Sequence, residues 1–260
     1  MMTRMGDHVS INGHPTWVED RGTGDPVLLL HGAFENSDEV LECFAPLGDQ
    51  HRLVAFDRRG HGRTADTEAD FHYADMATET IGVLDHVVGE PTHLVGYSDG
   101  ANVALLVALQ RADLVRSLVL IGANYRWDGV LPGVLDHFAP DAPIASMLVG
   151  PYAERSPDGA EHFPVIMEKT LRMLASEPTM TEQELAAIKA PALVLVGDDD
   201  IMSLSHTCSL YESLPAGQLA VLPATSHLVV FEKTELLNRL ILEFLTADEP
   251  PATLMPVRRA

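Results

Sequence analysis

The chain has 260 residues, is 46% hydrophobic and carries a formal net charge of −21, with only three lysines, Lys169, Lys189 and Lys233. That length supports one well-buried core, and favours one domain with an insertion over two domains. So acidic a surface repels phosphate backbones and anionic lipid. Nucleic acid and membrane are therefore not expected as partners, and strongly anionic substrates are disfavoured.

No apolar run approaches the roughly eighteen residues of a membrane span, and Met1–Asp7 lacks the apolar core of a signal peptide. Cys43 and Cys208 lie far apart, which argues against a disulfide framework and fits a reducing cytoplasm. Both read as buried small residues without a metal-ligand pattern around them.

In chain order, His8–Ile11 and Pro15–Glu19 alternate around Asn12-Gly13, which predicts an opening β-hairpin. Pro26–Leu30 is a continuous apolar run, the pattern of a parallel strand buried on both faces. His31-Gly32-Ala33-Phe34 follows it. Ser37 is placed to cap a helix through about Leu47, and Arg52–Phe56 is the next strand. Asp57–Thr64 is a glycine-punctuated loop, and residues from about Asp75 to Val88 have helical periodicity.

Gly96-Tyr97-Ser98-Asp99-Gly100 comes next, between the apolar run Thr92–Val95 and the Ala/Leu-rich stretch Ala101–Leu109. Strand, sharp turn and helix in that order make a nucleophile elbow, with glycine where the turn has no room for Cβ. Ser98 is the expected nucleophile, with its Oγ raised above the sheet. The Asp99 amide, at the helix N-terminus, is aimed at a developing oxyanion. Val115–Ile121 is a further strand.

From Asn124 the pattern changes. Pro132, Pro140, Pro143, Pro151, Pro157, Pro164 and Pro178 break it into short pieces, and Met147, Met167, Met173 and Met180 are scattered through it. The clearest helix there runs from about Ala160 to Ala175, with Pro164 admissible in its first turn. The expected organisation is a core of residues 1–123 and 188–260, with 124–187 inserted as a helical cap. Beyond it come a strand at Ala192–Val196, the turn Gly197–Asp200, a helix near Ser205–Leu214 and a strand at Gln218–Leu222. A terminal amphipathic helix spans about Leu228 to Leu245, and the tail Asp248–Ala260 reads as frayed. Strands alternating with helices at this spacing predict an α/β fold, a mostly parallel twisted sheet with helices on both faces. Sites in such sheets lie beyond the carboxyl ends of the strands. His31, Asp57, Ser98, Asp200 and His227 all fall there.

Taken together, His31-Gly32, Asp57-x-x-Gly60-x-Gly62-x-Thr64, Gly96-x-Ser98-x-Gly100, Gly197-x-x-Asp200 and Ser226-His227 resemble the α/β-hydrolase superfamily. The likeness runs over about Val9 to Leu245 and is greatest to small soluble esterases and enol-lactonases. Pro223-Ala224-Thr225-Ser226-His227 departs from it, with Ala224 where glycine is common. The residues alone leave Asp198, Asp199 and Asp200 open. The resemblance selects Asp200, by its spacing from Gly197, to orient His227, the general base and acid. It implies an oxyanion hole of the Ala33 and Asp99 amides, an anchoring role for His31 and Asp57, and an Asp99 carboxylate turned away from the oxyanion. Epoxide hydrolases and haloalkane dehalogenases of this fold, which carry aspartate at the elbow, are excluded by serine at position 98.

The resemblance implies a serine hydrolase of a small to medium ester or lactone, with no metal or organic cofactor and a small-molecule substrate as its partner, and the cysteine usage places it in the cytoplasm. C–C bond hydrolase, perhydrolase and non-catalytic receptor are the alternatives on the same fold. Oligomeric state is left open. Some cap residues, Met147, Phe138 and Met173 among them, are expected to govern substrate choice.

Overall fold

The computed structural model describes residues 6–138, 142–246 and 253–255. The start Met1–Met5, Pro140 and most of the tail expected to fray lie outside the described residues.

The opening hairpin is β1 (Asp7–Ile11) and β2 (His14–Arg21). Asn12 and Gly13 both take positive φ, 52° and 86°, the pairing a two-residue turn of this hand needs. β3 (Pro26–Leu30) leads into α1 (Ser37–Cys43), and β4 (Arg52–Phe56) into α2 (Tyr73–Val83). The α1 cap is Asn36, not Ser37: its side chain accepts from the Asp38 amide, and Glu39 reaches back to the Asn36 amide. Asn-x-x-Glu closes both ends of a capping box, which a lone serine cannot do. The Ser37 amide instead donates to Asp57 Oδ1 at 2.7 Å.

β5 (Thr92–Tyr97), α3 (Asp99–Gln110) and β6 (Val115–Ile121) follow. Then come α4 (Pro143–Arg155), α5 (Phe163–Leu174) and α6 (Glu182–Leu185), which contribute no strand to the sheet. Pro164 sits in the first turn of α5, where a missing N–H costs nothing. The chain returns through β7 (Ala192–Asp199), α7 (Leu204–Ser213) and β8 (Gly217–Ser226). The terminal helix is two pieces, α8 (Val229–Glu232) and α9 (Thr234–Leu245), broken where Lys233 leaves helical geometry at φ −134°.

The eight strands form one sheet in the order β1-β2-β4-β3-β5-β6-β7-β8. Pairing is parallel except at β1–β2 and β2–β4. Its two faces are covered by different helices. In β3, Leu28 and Leu30 enter one buried cluster with α2 and α3, while Val27 and Leu29 enter the other with α1 and α9. Full burial of each such side chain contributes roughly 1.5–3 kcal/mol, so the continuous apolar runs of the middle strands are the main source of stability. Ile166, Met167 and Met173 of α5 belong to the first of these clusters, so α5 packs as an extension of the sheet core. α4 buries only Ala145 and Tyr152. Cys43 is buried, but Cys208 is exposed on α7, contrary to the reading of both as buried. Among the described residues no helix is long and apolar enough to cross a membrane.

Candidate active site

β5 breaks at Ser98, whose backbone sits at φ 52°, ψ −118°, a conformation rarely populated outside glycine. The strain is held by packing on both sides. A Cβ on Gly100 would fall 2.1 Å from the Leu30 carbonyl oxygen, and one on Gly96 2.4 Å from that of Gly100. Only hydrogen fits at either place, so α3 lies directly on β3 and β5 and Ser98 is pushed up over their ends.

The two residues expected to act with it, Asp200 and His227, arrive from the neighbouring pair of strands. The β7–β8 register shifts between Gly197 and Asp199, which sets Asp199 opposite Ser226. Asp200 and His227 therefore leave the sheet side by side. His227 Nδ1 lies 2.8 Å from Asp200 Oδ1, and His227 Nε2 lies 3.0 Å from Ser98 Oγ. An ionised carboxylate only accepts, so Nδ1 carries the proton and Nε2 is left to accept from the serine hydroxyl. Asp200 Oδ1 also accepts from the Met202 amide at 3.0 Å, which fixes the carboxylate. Asp198 is spent elsewhere, accepting from the Thr225 amide at 3.1 Å, and Asp199 is exposed. Ala224 takes φ 51°, so the loop before His227 keeps the left-handed turn in which glycine is the easier residue.

The other predicted residues lie around this chain of hydrogen bonds. Ala33 and Asp99 line the same cavity as Ser98. Asp99 is the first residue of α3, so its amide has no intrahelical acceptor. Its carboxylate accepts from Tyr73 Oη at 2.5 Å, inside the core. His31 and Asp57 are buried anchors. His31 Nε2 accepts from the Arg58 amide at 3.2 Å, and burial, then the Arg58 charge, keeps the ring neutral. Asp57 accepts from the Ser37 and Arg63 amides, each at 2.7 Å.

Four participants were not singled out from sequence. Arg58, 1% exposed, donates to the His31 and Gly32 carbonyls at 2.7 and 3.0 Å and holds the turn after β3 from below. Phe34 closes that turn at φ 63°. Tyr97 donates to the His227 carbonyl at 3.0 Å, with its ring 5.4 Å from the imidazole. Glu35 lines the cavity and accepts from the Gly32 amide at 2.8 Å through Oε2. It is half-buried, and desolvation pushes its carboxyl up to about 8. In the sequence nothing distinguishes this glutamate from the other acids before α1.

The cavity holds about 260 Å³, near the lower end of ligand-pocket sizes, which run roughly 300–1,000 Å³. Its walls are apolar: Phe34, Val130, Leu135, Phe138, Leu148 and Leu174 among others. Leu228 and Phe231, each about half exposed, also line it. Among the described lining residues there is no lysine or arginine. Of the three cap side chains expected to govern substrate choice, only Phe138 lines it. Met147 is 73% exposed, and Met173 is 2% exposed within the core cluster. Both follow from where their helices lie, which periodicity does not reveal. A second, more polar cavity of about 360 Å³ sits at the opposite ends of the strands, against His51, His93 and Arg116. Among the described residues no group of three or more His, Cys, Asp or Glu is arranged to hold a metal.

Comparison with known proteins agrees with the fold. An alpha/beta hydrolase family model matches residues 27–240. A Variovorax paradoxus protein named carbamate hydrolase RutD is 31% identical over 77% of this chain and 84% of its own. The 2-hydroxy-6-oxo-2,4-heptadienoate hydrolase of Pseudomonas putida is 27% identical over 94% of this chain and 98% of its own. Among solved structures, the meta-cleavage product hydrolase CumD of Pseudomonas fluorescens superposes with a TM-score of 0.78 at 26% identity, covering 92% of this chain and 97% of that one.

Proposed function

Because the chain belongs to the alpha/beta hydrolase family, we propose that it hydrolyses a small uncharged ester or lactone through an acyl-enzyme on Ser98. The observation that carries this reading is the unbroken hydrogen-bonded series Ser98–His227–Asp200, opening on an apolar cavity lined by no cation among the described residues. Ser98 Oγ attacks the acyl carbon as His227 Nε2 takes its proton. The tetrahedral oxyanion is held by the Ala33 and Asp99 amides. Collapse expels the alkoxide, which takes the proton back from His227. Water then attacks the acyl-enzyme, its proton passing to His227 and on to Ser98 as the acid leaves. Asp200 stabilises the imidazolium in both halves. Residues 124–187 act as the cap whose walls size the acyl group. The two free cysteines favour a reducing, cytoplasmic setting.

The names of its relatives raise two neighbouring reactions, carbamate hydrolysis and C–C cleavage of a dienoate. The second would bring a carboxylate into a cavity that holds Glu35 and Glu39 and, among the described residues, no lysine or arginine, and burying an unpaired anion there is costly. A carbamate is neutral or anionic according to its substitution, and its neutral esters fit as well as carboxylic esters do.

The test is a substrate panel of p-nitrophenyl esters, a δ-lactone, a neutral carbamate ester and a 2-hydroxy-6-oxo-dienoate, run on wild type and Ser98→Ala. Turnover of the neutral ester or lactone is expected, with a loss on the order of 10⁶-fold in Ser98→Ala. Preferred turnover of the dienoate, or ester turnover that survives in Ser98→Ala, would overturn the reading. Stoichiometric binding without product release would make the protein a receptor.

A further inference from the structure

Glu35 is half-buried beside the turn that the acyl-transfer reading gives to the oxyanion. Its Oε2 accepts from the Gly32 amide, one peptide unit before the Ala33 amide, and the residue lines the cavity shared with Ser98. Arg58 holds the turn from the carbonyl side, on His31 and Gly32, and Phe34 packs it against Phe138 and Phe163. Glu35 is thus the side chain that fixes its amide side.

We propose that Glu35 works as a neutral carboxylic acid, a positioning residue that holds the Gly32–Phe34 turn while keeping negative charge away from the oxyanion. This rests on the acyl-transfer reading above. A tetrahedral intermediate puts a full negative charge at the Ala33 and Asp99 amides, and a carboxylate beside that turn, in a low-dielectric cavity, opposes it. A carboxylic acid makes the same bond through its carbonyl oxygen at no such cost.

The surroundings favour that form. The titratable and charged groups facing Glu35 are Glu39 and Cys43 on α1, Arg58 after β4, Tyr97 on β5 and Asp99 at the start of α3. Only one of these is a cation. Arg58 is coupled first to Asp99, and to Glu35 more weakly. Desolvation is the largest influence on Glu35 and acts in the same direction as Glu39 and Asp99, outweighing the Gly32 amide and Arg58, which favour the ionised form.

The experiment compares wild type with Glu35→Gln and Glu35→Leu on p-nitrophenyl butyrate from pH 6 to pH 10. Glutamine keeps an acceptor for the Gly32 amide and cannot ionise. Wild-type kcat should fall about tenfold per pH unit above pH 8 with little change in KM, as the catalytically competent fraction of Glu35 falls. Glu35→Gln should match wild type at pH 7 and stay flat over the same range. Glu35→Leu, with no acceptor, should lose kcat at every pH. An alkaline fall that persists in Glu35→Gln, or a loss above tenfold at pH 7 in that variant, would overturn the proposal.

Thermal unfolding gives a second readout that needs no activity. An acid whose folded pKa is raised contributes stability that is lost as pH rises, here between the unfolded carboxyl value and about 8. Glu35→Gln should therefore unfold with wild type near pH 4.5 and at increasingly higher temperature up to pH 8. Glu42→Gln, at an exposed position of α1, controls for general charge reduction. Equal shifts in the two variants would refute the neutral acid. If wild type cleaves no ester, the acyl-transfer reading fails while this comparison still decides the state of Glu35.

Discussion

Lys169 Nζ lies 2.6 Å from Asp66 Oδ2, and both side chains are buried, 9% and 3% exposed. The pair joins α5 to the loop that follows β4. Lys169 also donates to the Thr67 carbonyl at 2.6 Å, and His162 Nε2 lies 2.9 Å from the same carboxylate oxygen. Burial alone would raise the Asp66 pKa, but the Lys169 and His162 contacts outweigh it and hold it low. One of the chain's three lysines is thus committed to fastening α5 to the loop after β4.

Lys169→Met should therefore be destabilising, because it takes the lysine from a buried carboxylate and leaves it the His162 ring. Loss of one partner of a buried pair costs about 3–5 kcal/mol. The double variant Lys169→Met/Asp66→Asn should recover part of that, as measured by denaturant unfolding. Hydrogen exchange should be slow in α5, which buries six residues, and fast in α4, which buries two. Equal exchange in the two helices, or a Lys169→Met midpoint like wild type, would contradict the latch.

The three consecutive aspartates should separate cleanly. Asp200→Asn keeps the shape but stabilises the wrong imidazole tautomer, and a loss on the order of 10⁴-fold in kcat is expected. Asp199→Asn, at an exposed site, should leave kcat within a few-fold. Asp198→Asn should act through the Thr225 amide, with a small loss of stability. An inactive Asp199→Asn beside an active Asp200→Asn would mean that the carboxylate on His227 is the wrong one.

Among the cap side chains, Phe138→Ala should enlarge the cavity and shift preference toward longer acyl chains. It also removes the stacked contact with Phe34, centroid to centroid 6.2 Å. Met173→Ala should instead cost about 2–5 kcal/mol as a core cavity, with the chain-length profile unchanged. Met147→Ala should do neither. A chain-length series on the three purified variants distinguishes these outcomes, and a profile altered only by Met173→Ala would reverse the assignment.

Much of the molecule was legible locally. The apolar runs of β3, β5, β6 and β7 can be satisfied only by burial on both faces, and Asn12-Gly13 permits only a tight hairpin turn. Ser98 could be read because Gly96 and Gly100 flank it between a strand run and a helix run, a constraint local in sequence. The β-strand ends brought His31, Asp57, Ser98, Asp200 and His227 to one edge by topology alone. What periodicity could not convey was which of several equivalent residues meets a distant partner. Ser37 and Asn36 are both competent caps until Glu39 closes the box on one of them.

Tertiary structure alone decided the rest, because it depends on contacts between segments far apart in the chain. The shift in β7–β8 register pairs Asp199 with Ser226 and so delivers Asp200, not its neighbours, to His227. The surroundings of Glu35 arise where the turn after β3 meets Tyr97, Arg58 and the start of α3. Met173 is core and Phe138 is cavity wall because α5 lies against the sheet cluster while the segment before α4 covers Ser98. Local chemistry specified which groups are present, and packing across the sheet edge specified which of them face one another.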